Sequence, residues 1–146
     1  MRSARAVVDA SALAPSLFYQ GLLFRAIRHD LLVPLVIPEI YTELTAAVLA
    51  ICAREAAPNH VRELILRACE LVYSKSPRLM PMPPDYAVPE LKGHMKDAHL
   101  FWVAEHGRAD VIIVREPRLE TIGEWRGVPI LRPRHALEYL GLLPAL

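Results

Sequence analysis

Residues 96–116 read KDAHLFWVAEHGRADVIIVRE, and this stretch decides the fold. A helical pattern runs from Met95 to His106, and Gly107 is a natural stop for it. Residues 111–114 are four consecutive apolar, β-branched residues, a run suited to a strand buried on both faces. A helix feeding a short buried strand is the repeating unit of a parallel α/β sheet.

The same alternation extends in both directions. Upstream, residues 5–8 form a short buried strand ending at Asp9. Ser11 suits a helix cap and Pro15 a first helical turn. Leu17, Leu22, Leu23, Ala26 and Ile27 then predict one helical face up to Arg28. After a turn at His29 and Asp30, residues 31–37 read as a short strand at a sheet edge, interrupted by Pro34. Pro38 opens the next helix, with Glu39 at its positive end, and the pattern runs through Glu43 towards Glu55. Pro58 breaks it, and VRELILRACELVY at 61–73 is helical again.

Residues 74–90 hold Pro77, Pro81, Pro83, Pro84 and Pro89, which rules out regular helix over most of the loop. A short extended piece is expected at 79–82. Downstream, residues 127–131 read as a strand, and Pro133 opens a last helix, RHALEYL. The expectation is an α/β fold with a mostly parallel sheet covered on both faces, as one domain over residues 1–146.

The chain has 146 residues, 53% of them hydrophobic, which places it clear of disorder. Its formal net charge of +1 argues neither for nor against a nucleic-acid partner, so any attraction must be local. Cys52 and Cys69 lie in helical segments without metal-motif spacing and read as buried thiols of a reducing compartment. The apolar run at the start is broken by Asp9, unlike a signal peptide, and no segment reads as a membrane span. A cytoplasmic protein without a membrane partner is expected.

Four acids stand at the edges of apolar runs: Asp9, Glu43, Asp97 and Glu116. In an alternating α/β sheet, residues just past the strand ends gather along one rim, where ligands bind. Four carboxylates gathered there would suit hard divalent cations, and such a site suggests phosphodiester hydrolysis. Taken singly, each acid has a plainer role: a helix-start acid for Asp9 and Asp97, a solvated helix face for Glu43, a turn for Glu116.

Four stretches in order resemble the PIN-domain family, including toxin ribonucleases of the VapC type and PilT N-terminal-like relatives. They are VVDASAL at 7–13, IPEIYTEL at 37–44, residues 96–116, and GVPILRPRHALEYL at 127–140. The resemblance covers nearly the whole chain. It implies a three-layer α/β/α sandwich and an endoribonuclease that uses Mg²⁺ or Mn²⁺ held by Asp9, Glu43, Asp97 and Glu116. It also implies an RNA substrate and, for a toxin, a cognate antitoxin protein. Ser11, Arg115 and Arg118 are the matching candidates for substrate contact, the two arginines because they flank Glu116. The chain departs from the family's pattern in three places. Ser11 stands where Asn or Thr is common, and Val114-Arg115-Glu116 stands where Thr-x-Asp is common. Met95 and Lys96 precede Asp97 where many relatives carry a further acid. These departures motivate an alternative: a catalytically weakened or inactive PIN-like RNA-binding or scaffold protein. A phosphatase of the haloacid-dehalogenase type is disfavoured, because VVDAS lacks that family's second Asp.

The remaining features are weaker. Most arginines of the last third alternate with acids and read as a solvated face. His94, His99 and His106 read as surface or packing residues, since His99 and His106 lie about two helical turns apart, too far for a one-turn metal pair. Leu100, Phe101 and Trp102 fit a core or interface face. Phe18, Tyr19, Leu22 and Leu23 would suit a homodimer or partner helix if exposed, with core burial as the default.

Overall fold

The computed structural model describes residues 2–91 and 97–143. Strand β1 (Ala4–Val8) leads through α1 (Ala10–Tyr19) and α2 (Leu22–Arg28) to β2 (Leu32–Pro34). Helices α3 (Pro38–Arg54) and α4 (Asn59–Lys75) follow, then the proline loop with a single 3₁₀ turn at Pro89–Leu91. Next come α5 (Ala98–His106), β3 (Val111–Ile113), α6 (Pro117–Glu120), β4 (Glu124–Trp125), β5 (Val128–Leu131) and α7 (Pro133–Tyr139).

The five strands form one sheet in the order β2-β1-β3-β5-β4. All neighbours are parallel except β4, which runs antiparallel to β5. Ala6, Val7 and Val8 of β1 and all of β3 are buried, so helices cover both faces in a three-layer α/β/α arrangement. One hydrophobic core extends from Ala6 to Leu137. After β1 the chain moves outward to β2, then returns to place β3 on the other side of β1. The connections leaving β1 and β3 therefore diverge, and a crevice opens past their carboxyl ends.

Proline and glycine shape the details. Pro34 lies on the edge strand, where its missing donor is tolerated, and pairing continues with Leu35 N–H donating to the Ala6 carbonyl at 2.9 Å. Pro15 is not in a first turn: α1 starts at Ala10, immediately after β1, so Pro15 falls inside the helix. The face expected to run unbroken to Arg28 is two helices. Gln20 adopts the left-handed conformation, and Gly21 precedes α2.

Residues 79–82 are not a strand. The proline loop is instead pinned by side chains. The Val36 N–H donates to Ser76 Oγ at 2.9 Å, and Trp102 Nε1 donates to the Met80 carbonyl at 2.9 Å. The expected start of α5 at Met95, with His94 and Lys96, lies outside the described residues; Ala98 opens the helix and Asp97 precedes it. Gly127 is not a strand residue. Trp125 pairs with Val128, so Arg126 and Gly127 make a two-residue turn with positive φ at both, the geometry of a type I′ hairpin.

Cys52 and Cys69 are buried free thiols, and burial pushes the Cys69 thiol up to about 11. Among the described residues no helix is long and apolar enough to cross a membrane. Of the apolar residues considered for a partner surface, Leu23 is buried and Tyr19 is exposed, with Phe18 and Leu22 between.

Candidate functional site

Asp9 leaves β1 at the crevice. Its N–H donates to the Ile113 carbonyl at 2.9 Å, so the β1–β3 ladder fixes its backbone beside the end of β3. It occupies the N-cap position of α1, but its side chain makes no capping bond. Ser11 Oγ donates instead to Asp9 Oδ2 at 2.7 Å, orienting the carboxylate.

Glu43 lies in the second turn of α3, and its Oε2 is 3.2 Å from His99 Nε2. Glu43's side chain is 47% exposed, whereas that of His99 is 6% exposed. His99 is thus an inner member of the site that faces an outer carboxylate. Burial alone would lower the His99 pKa. The hydrogen bond and charge of Glu43, then the charges of Asp97 and Asp9, outweigh it, so the imidazole titrates above its ordinary value. Of the four expected acids, Glu43 contacts the buried histidine, and the charges of Asp97 and Asp9 act on it at longer range.

Asp97 directly precedes α5 and shares a small cavity of about 50 Å³ with Glu116, Glu90 and Arg118. Glu116 caps α6: its Oε1 accepts from the Arg118 N–H at 3.3 Å and from Arg118 Nε at 3.1 Å. Val114, at the position where a hydroxyl residue is common in the resembling family, is fully buried in the sheet. Arg115 and Arg118 diverge. Arg118 is tied to Glu116, while Arg115 lines a groove of about 450 Å³ between α1, α2 and α7, together with Tyr19, Arg132 and Arg134.

Sequence reasoning misses two residues. It takes His99 for a packing or surface residue. The signal is a lone imidazole two residues after Asp97, on the same turn as Ala98 and Leu100. It leaves Glu90 inside the proline loop, yet Glu90 reaches the cavity and accepts from Trp125 Nε1 at 3.1 Å. No sequence pattern links Glu90 to Trp125.

Carboxylate oxygens are hard donors suited to Mg²⁺ and Mn²⁺, so the residue types fit the expected cations. Among the described residues no three His, Cys, Asp or Glu side chains come together closely enough to hold a metal ion. The arrangement is a Glu43–His99 pair, on whose charge Asp97 and Asp9 also act, and a small cavity shared by Asp97, Glu90 and Glu116. Compared with protein-family models, with curated proteins and with solved structures, the chain finds no match.

Proposed function

We propose that the chain is a metal-dependent endoribonuclease of PIN-domain type, the toxin of a toxin–antitoxin pair, hydrolysing RNA phosphodiesters in the cytoplasm. The observation that carries this reading is Asp9 held past the end of β1 beside β3, with the Glu43 carboxylate 3.2 Å from the buried His99 ring. Asp9, Glu43, Asp97 and Glu116 would hold Mg²⁺ or Mn²⁺, which supplies positive charge to activate water and to stabilise the phosphodiester oxygens. Ser11 orients Asp9, and Glu43 orients the His99 ring. The groove at Ala12 of α1 holds Arg115 for an RNA phosphate; Arg132 and Arg134 on its wall are paired with Glu120 at 2.8 Å and Glu138 at 3.2 Å. An antitoxin would have to neutralise this same charged surface, and exposed Tyr19 offers an apolar point of contact for it or for a second copy of the chain.

The test is cleavage of single-stranded RNA with Mn²⁺ or Mg²⁺ by wild type, Asp9→Asn and Asp97→Asn. Both variants are expected to lose activity by at least about a hundredfold. Cleavage equal to wild type in both would remove the acids from the mechanism.

One observation favours a weakened PIN-like RNA-binding protein instead: the carboxylate of Glu116 is engaged by the backbone and guanidinium of Arg118. Calorimetric titration with Mn²⁺ separates the readings. Saturable binding lost in Asp9→Asn supports the nuclease, and RNA binding without Mn²⁺ binding supports the alternative.

A further inference from the structure

The opposite edge of the sheet carries a second charged feature that the acid site does not use. Arg2 and Arg5 at the amino end of β1, Arg78 of the proline loop, His106 at the end of α5 and Arg108 just after it line one cleft of about 510 Å³. The one acid bonded to its lining residues among the described residues is Asp110, which holds Arg2 and the Arg5 N–H, in a chain whose formal net charge is only +1.

The partners of these arginines show how much charge is left over. Arg2 is neutralised by Asp110 at 2.8 Å. Arg5 Nε donates to the Gly107 carbonyl at 2.9 Å, which fixes the guanidinium without cancelling its charge. The side chains of Arg78 and Arg108 make no hydrogen bond or ion pair among the described residues. Asp110 also accepts the Arg5 N–H at 2.8 Å, so its single carboxylate serves the Arg2–Arg5 end, while Arg78 and Arg108 bring two guanidinium charges to the cleft without an ion-pair partner among the described residues.

The end of α5 sets the position of Arg108. This residue holds φ at 54°, the left-handed conformation that favours glycine. Glycine stands one place earlier, at Gly107, where a Cβ would meet the Val103 carbonyl oxygen at 2.8 Å and Leu35 Cδ1 at 2.9 Å. Packing thus claims the glycine and leaves the left-handed cap position to an arginine that lines the cleft. The same left-handed conformation ends α1 at Gln20, α2 at Asp30 and α3 at Ala56; at Arg108 it ends α5, with the Ala109 N–H donating to the Ala104 carbonyl at 2.9 Å, and so fixes where the arginine leaves the backbone.

We propose that this cleft binds a di- or polyphosphate group, either as a free ligand or as successive phosphates of a nucleic-acid strand. Guanidinium forks match phosphate oxygens two at a time, and several forks in one cleft select for multiple charges over a single one. Leu79 supplies an apolar wall, and His106, stacked on Trp102 at a centroid distance of 5.2 Å, carries the cleft's state to a fluorophore. This proposal does not rest on the nuclease reading.

The experiment is calorimetric titration of the full chain with inorganic pyrophosphate in EDTA, at low and at physiological ionic strength, with Trp102 emission as a second readout. Saturable binding is expected, weaker at higher salt, and reduced roughly tenfold in Arg78→Ala and in Arg108→Gly. Arg108→Gly suits the left-handed backbone and is expected to melt no lower than wild type, so its loss of binding cannot be ascribed to unfolding. Asp9→Asn and Asp97→Asn are expected to bind pyrophosphate like wild type. A single-stranded oligonucleotide forms the second arm. Tighter binding of the oligonucleotide, lost in the same two variants, assigns the strand as the source of the phosphates; tighter binding of pyrophosphate assigns the free ligand. If neither probe binds saturably, or if both arginine variants bind both probes like wild type, the proposal is overturned.

Discussion

At the scale of single residues, His99 organises the candidate site. It is the one buried polar residue among the described core positions, and three acids bear on its charge. Its folded pKa lies above the unfolded value of about 6.5, so the interaction stabilises the protein fully below that pH. That contribution is lost as pH rises through the folded pKa. Replacing Glu43 by Gln removes the largest favourable influence and leaves burial, so His99 should titrate lower in the variant. Denaturant unfolding of the metal-free proteins should show Glu43→Gln less stable by roughly 1 kcal/mol at pH 5–6, a modest figure because Glu43 is half exposed. The gap should close as pH rises through the wild-type value, and a gap that stays constant with pH would detach His99 from Glu43. The acids themselves are legible in the sequence because each stands at the edge of an apolar run. His99 is not, because its meaning depends on Glu43, 56 positions away on another helix.

At the scale of elements, periodicity and proline placement make most of the chain readable. β1, β2, β3, α3, α4 and α7 lie close to where apolar period and Pro38, Pro58 and Pro133 put them. Two of the misreadings share a cause: a backbone conformation that no pattern encodes. Gln20 turns left-handed and splits one helical face in two, and Arg126 with Gly127 turns a supposed strand start into a hairpin. Glycine acts in two different ways here. At Gly127 φ is 84° and nothing lies within 4 Å of the place a Cβ would take, so only conformation requires glycine. At Gly107 φ is −86°, and the requirement is space, since backbone oxygen and Leu35 stand in the way. Gly127→Ala should therefore cost about 1 kcal/mol. Gly107→Ala should cost about 1–3 kcal/mol through displacement of α5 against β2. In thermal melts, truncating Leu35 to Ala should shrink the Gly107→Ala cost and leave the Gly127→Ala cost unchanged. Equal responses at both glycines would refute the steric account of Gly107.

At the scale of the whole molecule, charge is segregated along the strands. Asp9 and Glu116 stand past the carboxyl ends of β1 and β3, and the arginine cleft lies at the amino end of β1. Strand β1 has five residues, so the two regions are separated by about 16 Å. Across that distance, with a packed apolar sheet between them, changes at one end should not alter the other, and their energies should add within about 0.5 kcal/mol. Mn²⁺ at a hundredfold excess over its dissociation constant should stabilise wild type by about 2.7 kcal/mol, because a ligand that binds only the folded state shifts unfolding by mass action. Asp9→Asn retains the acceptor for Ser11 but loses the charge, so it should abolish that stabilisation and leave protection by pyrophosphate intact. Arg108→Gly should do the reverse. In the double variant, denaturant unfolding should show both protections lost and no further change. If Asp9→Asn also removes protection by pyrophosphate, the two ends are coupled through the sheet, and the assignment of separate anion and cation sites fails.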